Sequence, residues 1–337
     1  MNADTPTTDS SLLTTTQLRT HGISQAETNE RCRPDGPWQQ VLPGVYALHA
    51  GPLTSDERVR AALLYAARDN RGSVRAPGRG VLGTEVPPQG APPPDAMITG
   101  LAALALHGFG SLPAHDHIDL LVPRLRRLRS TGYVRVVRTA NPPTPLSFNG
   151  VPVAPVARAL ADAVSELTDA GVVRRLMAEA VRDGHCEPAA AVGELSRAKL
   201  LTRPHVVDAV DALLAESRAL AESRLYRLVR DHGLPDPVWN VDLRLPGGPH
   251  LGGLDAYWPD HAVALELDIR APRLDDDALW TEYARKRETL ERLGITVVHV
   301  TPRKLRESME QQAMVLRTAL LASADRPPSA YVVVLPR

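Results

Sequence analysis

The sequence is poor in aromatic residues and cysteine, and it has no excess of charge of either sign. Only 4% of its 337 residues are aromatic, and its two cysteines, Cys32 and Cys186, lie far apart. Two isolated cysteines give neither a metal-binding pattern nor a disulfide framework, which is typical of a reducing compartment. Basic and acidic residues each number 39, so the net charge is zero. The overall charge therefore gives no indication of a polyanionic partner, and any nucleic-acid binding must use local patches.

Long apolar runs are also missing. No stretch approaches the roughly 20 apolar residues that a bilayer-spanning helix needs. The polar N-terminus lacks the basic and apolar regions of a signal peptide. We therefore expect a cytoplasmic protein that does not contact the membrane. The chain is too long for one ordinary hydrophobic core, and two or three domains with an overall α+β composition are expected.

Residues 11–50 predict two short helices followed by a β-hairpin. The helices lie on either side of Gly22, with Ser24 as the N-cap of the second, and residues 38–48 alternate about the turn Pro43-Gly44. This order is that of a small winged helix-turn-helix, whose second helix would present polar side chains to DNA. The candidate DNA contacts are Gln25, Thr28, Asn29 and Arg31.

Residues 51–170 predict an α+β region. It contains a Gly- and Pro-rich loop over 71–95, an apolar helix over 98–108, and strands over 117–123 and 133–139. A basic run follows the first of these strands, and it either holds phosphate groups or forms a solvated loop. The candidate phosphate contacts in this run are Arg124, Arg126 and Arg127.

The rest of the chain predicts a helical connector over 171–212 and an α/β domain with a mixed sheet over 213–337. A helix over 213–233 leads into three strands. The strands are expected over 239–246, 252–258 and 262–268, with a Gly-rich turn between the first two. A helix over 276–294 and a strand over 295–301 follow.

The strand over 262–268 carries two acids on one face. Period-two alternation places Glu266 and Asp268 together, opposite the apolar face. Asp255 lies on the preceding strand. A two-residue loop between the strands would put Asp255 on a diagonal from Glu266, and a four-residue loop would put it directly opposite. Either loop brings the two Cβ atoms within roughly 4.5–8 Å on the same face, whereas a three-residue loop would separate them.

Two acids at that separation repel each other unless a cation lies between them. Mg²⁺ is the natural cation, because it takes carboxylate oxygens and keeps several waters. Such an ion activates water and neutralises charge on a phosphodiester. Lys286, on the following helix, either faces this cluster and contacts a scissile phosphate or is ordinary helix-surface charge. Solvated acids on an exposed sheet face are the alternative interpretation of the whole pattern.

The order of these pieces resembles a known nuclease-like family. A helix with Glu222, then Gly253-Leu254-Asp255, then Ala264–Asp268 and the strand over 295–301 are similar to actinobacterial proteins related to very-short-patch-repair endonucleases. The resemblance covers roughly residues 216–310 and implies a PD-(D/E)XK nuclease-like fold. It also implies that Asp255 and Glu266 bind the metal and that Glu222 is the acid of the leading helix.

The sequence departs from that family in three places. Asp268 is not one of them, because this subfamily has aspartate where the general pattern has lysine. Ile269 replaces the glycine that follows, a histidine expected shortly after is missing, and Tyr283 replaces an aspartate. Loss of the histidine removes an acid–base or phosphate contact. Both an active nuclease and an inactive nuclease fold therefore stay open.

The front half resembles the AbiEi-type antitoxin family over about residues 11–170. The motifs are LPGVYAL, LAALALHG, HIDLLVP, RVVRT and GVPVAPVARALADAV. The resemblance implies DNA binding and repression of the protein's own operon. Two functions follow as expectations. One is a DNA-interacting protein with a Mg²⁺-dependent nuclease domain. The other is a non-enzymatic regulator or antitoxin, with a toxin partner and a homodimer among its expected interactions.

Overall fold

The computed structural model describes residues 11–67, 96–268, 277–324 and 331–337, and the side chains of 277–283 and 324 are outside that description. Over these ranges the protein is a mixed α+β chain that forms two compact units, Met1–Leu167 and Thr168–Arg337. The multi-domain α+β class expected from the sequence is therefore confirmed. The predicted loop over 71–95 and the departures at Ile269 and Tyr283 fall outside the described residues or side chains.

The first unit contains two sheets and five described helices. Its elements are β1 Leu12–Thr14, α1 Thr15–Thr20, α2 Gln25–Arg31, β2 Gln39–Leu42, β3 Val45–Ala47, α3 Ser55–Ala67, β4 Met97–Thr99, α4 Gly100–Leu106, β5 Ile118–Pro123, β6 Val134–Thr139, β7 Leu146–Phe148, β8 Val151–Val153 and α5 Val156–Glu166.

The first sheet of this unit is small and antiparallel, in the order β1-β3-β2. The predicted hairpin about Pro43-Gly44 forms β2 and β3, and Gly44 takes the left-handed φ of 69° that the turn requires. Ser24 caps α2 as predicted, because its hydroxyl accepts the backbone N–H of Glu27. Strand β1 was not predicted. It forms because its apolar residues pair with β3 and join a core around Leu18.

The second sheet has the order β6-β5-β4-β8-β7. The prediction of one apolar helix over 98–108 is wrong at its start, because Met97–Thr99 forms the central strand β4. The helix begins at Gly100, whose φ of 63° turns the chain directly from strand to helix. A Cβ at Gly100 would collide with the carboxylate of Asp119 on β5. Glycine therefore satisfies both the backbone conformation and the close approach of β5.

The second unit combines one mixed sheet with helices. Its elements are α6 Ala170–Arg182, α7 Pro188–Arg197, a 3₁₀ turn Leu200–Thr202, α8 Pro204–Asp231, β9 Val238–Arg244, β10 His250–Trp258, a 3₁₀ turn Pro259–His261, β11 Val263–Leu267, α9 Asp277–Arg292, β12 Thr296–Val300, α10 Pro302–Glu307, α11 Met309–Ala324 and β13 Val333–Pro336.

The sheet of this unit has the order β12-β11-β10-β9-β13, with β11 and β12 parallel and the other pairs antiparallel. This confirms a mixed sheet in this part of the chain. One face packs against α8 and α11 in a core that includes Leu225, Trp258 and Leu316. The other face packs Tyr257 and Ala264 against Leu290 of α9. Both faces are thus covered, and polar groups can gather only where this covering ends.

Helix α8 is longer than predicted. It runs without a break from Pro204 to Asp231, so the expected domain boundary between residues 212 and 213 lies inside a continuous helix. Buried residues continue on both sides of that point, from Val206 and Leu213 to Leu225 and Leu228. No helix in the described ranges is both long enough and apolar enough to cross a membrane.

Candidate active site around Asp255 and Glu266

Asp255 and Glu266 lie opposite each other on neighbouring strands. Antiparallel pairs join Ala256 to Leu265 and Trp258 to Val263, and the same register continued by one residue joins Asp255 to Glu266. The connection is the four-residue loop 259–262, in which Ala262 takes a left-handed φ of 48°. Of the two registers left open by the sequence, the four-residue loop is the one that forms.

Both carboxylate oxygens of Asp255 accept hydrogen bonds. Oδ2 accepts the backbone N–H of Leu267 at 2.7 Å, and Oδ1 accepts the guanidinium of Arg218 at 2.7 Å. Burial raises the pKa of Asp255 above its ordinary value; the bond from Leu267 and the charge of Arg218 oppose this, while the charges of Glu222 and Glu266 add to it. Asp255 is therefore a carboxylate held in place, with its charge partly compensated.

Glu266 lies between two basic side chains from different elements. Lys286 of α9 donates a hydrogen bond to Oε1 of Glu266 and another to the carbonyl of Gly253, the latter at 2.7 Å. His299 lies opposite Glu266 on the parallel strand β12, with its Nδ1 3.5 Å from Oε2. Glu266 is only 7% exposed, so these groups supply most of its polar surroundings.

Glu222 is tied to the same cluster through Arg218. The two residues are one turn apart on α8, and Nε of Arg218 donates to Oε1 of Glu222 at 2.8 Å. The guanidinium therefore bridges Glu222 and Asp255. Five acidic and basic residues were predicted from the sequence as site residues. Four of them meet in this region, namely Asp255, Glu266, Glu222 and Lys286, and the fifth is Asp268.

Asp268 has a different place. Its backbone N–H donates to the carbonyl of Val300 at 2.9 Å, which extends the pairing of β11 with β12. Among the described residues, Asp268 is not part of the lining of the cleft that contains Asp255 and Glu266.

Two glycines make room for this cluster. Gly252 and Gly253 begin the predicted strand over 252–258, and both lie inside β10, which starts two residues earlier at His250. Gly252 has a φ of 120°, and a Cβ there would lie 2.5 Å from Cε of Lys286. A Cβ at Gly253 would lie 2.8 Å from Cζ of Arg337. Glycine at these positions lets both basic side chains cross the strand.

The acids open onto a cleft of about 600 Å³, which we call the central cleft. Its charged and ionisable lining residues are Arg218, His250, Asp255, Glu266, Arg285, Lys286 and Arg337. Within the described ranges, no group of three or more His, Cys, Asp or Glu side chains is arranged to hold a metal ion. Asp255 and Glu266 are the two carboxylates among the residues that line the cleft.

The candidate DNA contacts on α2 are placed differently from the prediction. The expectation that Thr28 is exposed is wrong, because its side chain is 2% exposed and its hydroxyl donates to the carbonyl of Ser24. Gln25 and Asn29 are exposed and hydrogen-bonded to each other at 3.0 Å. Arg31 pairs with Glu27 and lies 4.4 Å from the ring centre of Trp38. Of the four candidate contacts, Gln25 and Asn29 are thus the exposed ones.

The basic run after β5 likewise contains both exposed arginines and one arginine with a structural hydrogen bond. Arg124 and Arg127 are exposed, and they keep the location expected of phosphate contacts. Arg126 instead donates a hydrogen bond to the carbonyl of Ala66 at the end of α3. Its guanidinium therefore has a structural bond inside the first unit.

Arg218, His250 and Arg337 of the central cleft were not singled out from the sequence, and neither was His299, which lies beside Glu266. The signal for Arg218 was available, because it lies four residues before Glu222 on a helix. His299 lies on a strand whose parallel register with β11 cannot be read locally. Arg337 reaches the cleft only because β13 pairs with β9 at the edge of the sheet.

Comparison with known proteins gives little guidance. No family model matches this chain, and no curated protein matches it. A solved structure, the RV2827C protein from Mycobacterium tuberculosis, is 17% identical over 60% of this chain and 75% of that chain, with a TM-score of 0.27. Similarity at that level carries no argument about this protein.

Proposed function

We propose that the second unit binds a DNA phosphodiester in the central cleft and hydrolyses it in a Mg²⁺-dependent reaction. The observation that carries this proposal is the opposition of Asp255 and Glu266 within a cleft whose other charged groups are basic. Four Arg and Lys side chains line the cleft against two carboxylates, namely Arg218, Arg285, Lys286 and Arg337. Such a lining attracts a phosphate group while keeping two oxygen ligands beside it.

The carboxylate pair suits Mg²⁺ as a partial site. This ion commonly takes one or two protein carboxylates, several waters and the phosphate oxygens of its substrate. Asp255 and Glu266 would hold it, and when bound it supplies a water of lowered pKa and neutralises phosphate charge.

The remaining side chains act around the phosphate. Lys286 donates a hydrogen bond to Glu266 in this structure. In the proposed reaction its ammonium group leaves Glu266, binds a phosphate oxygen of the substrate and neutralises the negative charge that develops there. Arg218 keeps Asp255 oriented and holds Glu222 beside it. Glu222 is then in position to receive a proton through a water. His299 orients Glu266 from the neighbouring strand.

The fold assignments belong to the same proposal. The order α8, β9, β10, β11, α9, β12 about a mixed sheet supports a PD-(D/E)XK nuclease-like fold for the second unit. Two helices and the three-stranded sheet β1-β3-β2 support a winged helix-turn-helix in residues 11–50. Gln25 and Asn29 are its proposed DNA contacts, with Arg124 and Arg127 as proposed phosphate contacts.

The test is cleavage of DNA by the full chain. Supercoiled plasmid, perfect duplex, mismatched duplex and single strands are incubated with Mg²⁺, Mn²⁺ or EDTA. We expect metal-dependent cleavage that falls by about 100-fold in Glu266→Gln and Asp255→Asn. Glu291→Gln is the matched control, because Glu291 pairs with Arg287 on the exposed surface of α9. Absence of metal-dependent cleavage on every DNA form overturns the proposal.

A second candidate function is supported by the fact that Asp255 and Glu266 each form an ion pair with a basic side chain of this chain. Arg218 on Asp255 and Lys286 on Glu266 supply the positive charge that a metal ion would otherwise bring. A DNA-binding regulator or antitoxin that retains the fold without catalysis fits this pairing, with a toxin or a second copy as its protein partner. Sequence-specific binding to the protein's own promoter, without cleavage and without heat release on Mg²⁺ titration, would support this candidate over the first.

A further inference from the structure

A second groove lies between α8 and β9 in the same unit. It has a volume of about 680 Å³. We call it the aromatic groove, and its lining includes Glu222, Tyr226, Arg227, Arg230, Asp236 and Trp239. Asp255 and Glu266 do not line this groove, and Glu222 is the one residue named here that also takes part in the proposed hydrolysis.

The aromatic residues form a fixed platform. The side chain of Tyr226 is 42% exposed, although tyrosine usually buries most of its ring. Its ring centre lies 4.4 Å from that of Trp239 at an interplanar angle of 64°. The Nδ2 of Asn240 lies 3.5 Å from the Tyr226 hydroxyl, at the outer limit of a hydrogen bond. An exposed ring held in this way presents a flat surface on which another ring can stack.

The charges around the platform match the parts of a nucleotide. Arg227 and Arg230 are exposed on the same helix as Tyr226 and can contact phosphate oxygens. The carboxylates of Glu222 and Asp236 accept hydrogen bonds only, and amino groups on base edges are donors of the kind they recognise. An aromatic surface, two guanidinium groups and two acceptors therefore line one groove.

The aromatic groove and the central cleft are connected by one ion pair. Glu222 lines the groove and accepts a hydrogen bond from Arg218, whose guanidinium lines the cleft and binds Asp255. Arg218 and Tyr226 are eight residues apart on α8, which is about 12 Å along the helix axis. That distance corresponds to a few nucleotides of one strand.

We propose that the aromatic groove binds an unstacked base of the DNA strand that occupies the central cleft, so that the preferred substrate contains single-stranded DNA. A base inside a perfect duplex is already stacked on both sides and cannot lie on Tyr226. Stacking on aromatic side chains is the common way in which proteins hold single strands without selecting a sequence. The position of the strand rests on the proposed hydrolytic function, whereas the stacking itself does not.

The experiment measures binding without cleavage. Fluorescence anisotropy in EDTA gives the Kd of the full chain for a labelled single strand, a duplex with a single-stranded gap and a perfect duplex. We expect Tyr226→Ala to weaken binding of the first two by about tenfold and to leave the perfect duplex unchanged. Tyr226→Phe keeps the ring and should bind as the wild type does. Tyr331→Ala is the matched control, because Tyr331 is an exposed tyrosine that does not line the groove.

The outcomes separate this inference from the proposed function. Single-strand binding that depends on Tyr226, without metal-dependent cleavage, supports the groove and refutes the hydrolysis. Cleavage that is indifferent to Tyr226→Ala, with equal affinity for single strand and perfect duplex, refutes the groove alone. A Tyr226→Ala variant that loses self-association instead of DNA affinity shows a protein-binding surface and also overturns the inference.

Discussion

The side chain of Lys286 crosses β10 against Gly252, at a point where a Cβ on the glycine would lie 2.5 Å from the lysine Cε. The two residues are 34 apart in sequence and are joined only by the packing of α9 on the sheet. Without this crossing, the ammonium group could not reach both the carbonyl of Gly253 and the carboxylate of Glu266. The geometry of the carboxylate pair therefore depends on a residue that has no side chain.

Gly252→Ala should destabilise the second unit by about 2–3 kcal/mol, because it combines a positive φ with a collision. Urea unfolding followed by the fluorescence of Trp239 and Trp258 measures this loss. Gly247→Ala is the matched control, since its φ is 65° and nothing lies within 4 Å of its Cβ position. The penalty of Gly252→Ala should shrink in a Lys286→Ala background. Equal penalties at both glycines would refute the collision.

Arg218→Ala should destabilise the second unit by about 1–3 kcal/mol at neutral pH, because it leaves the buried carboxylate of Asp255 without its cationic partner. The loss should be smaller in an Asp255→Asn background, where the charge is gone. Arg287→Ala removes an exposed i,i+4 pair with Glu291 and should change stability by less than about 0.5 kcal/mol. Chemical denaturation of the four variants tests the ordering, and similar losses for Arg218→Ala and Arg287→Ala would contradict it.

Asp255→Asn should raise the melting temperature of the second unit by about 2 °C at neutral pH. Burial raises the pKa of Asp255, so the folded state holds the proton more tightly than the unfolded chain and the ionised carboxylate costs stability. The advantage of asparagine should therefore diminish as the pH falls below the ordinary aspartate pKa of 3.8, where the acid becomes protonated in both states. Calorimetric melting of both proteins at several pH values measures this difference. An advantage that does not change with pH would contradict the assigned cause.

Glu57→Gln should destabilise the first unit by about 1–2 kcal/mol at neutral pH. The carboxylate accepts bonds from Ser11, Thr54 and His49, and the bond from Ser11 is the largest of the causes that lower the pKa of Glu57 from 4.5 to about 2. Because the folded pKa is depressed, this stability is present above pH 4.5 and is lost as the pH falls toward 2.

The measurement for Glu57 is thermal melting of wild type and Glu57→Gln at neutral pH and near pH 3, followed by the fluorescence of Trp38. The two melting temperatures should approach each other in acid. Glu30→Gln is the control, since Glu30 pairs with Arg33 on the exposed surface of α2 and should show no such convergence. A gap between wild type and Glu57→Gln that widens in acid would refute the assignment.

Local patterns were sufficient for much of the fold. The alternation of residues 262–268 predicted β11, and the cap at Ser24 predicted the start of α2. These features depend on a side-chain period or on a hydrogen bond between neighbours, which the sequence alone contains. The same kind of reasoning placed Asp255 and Glu266 on one face for a two-residue or a four-residue loop, but not for a three-residue loop.

Other features depended on residues far apart in the chain. Strand β4 looked like part of an apolar helix, because short buried runs have no period that separates strand from helix. Thr28 looked like an exposed contact, and its burial reflects the core under α2. His299 lies beside Glu266, and Arg337 lines the central cleft, through strand pairings that no local rule specifies.

By itself, the sequence determined that the strand over 262–268 carries Glu266 and Asp268 and that both lie on the same face of it. This follows because the alternation of side chains along a strand is set by the backbone. Only the tertiary structure decided the four-residue loop, the cationic partner of each carboxylate, and the glycine gap that lets Lys286 through. These outcomes depend on how helices pack on a sheet, where close approach is limited by volume and buried charge must find a partner.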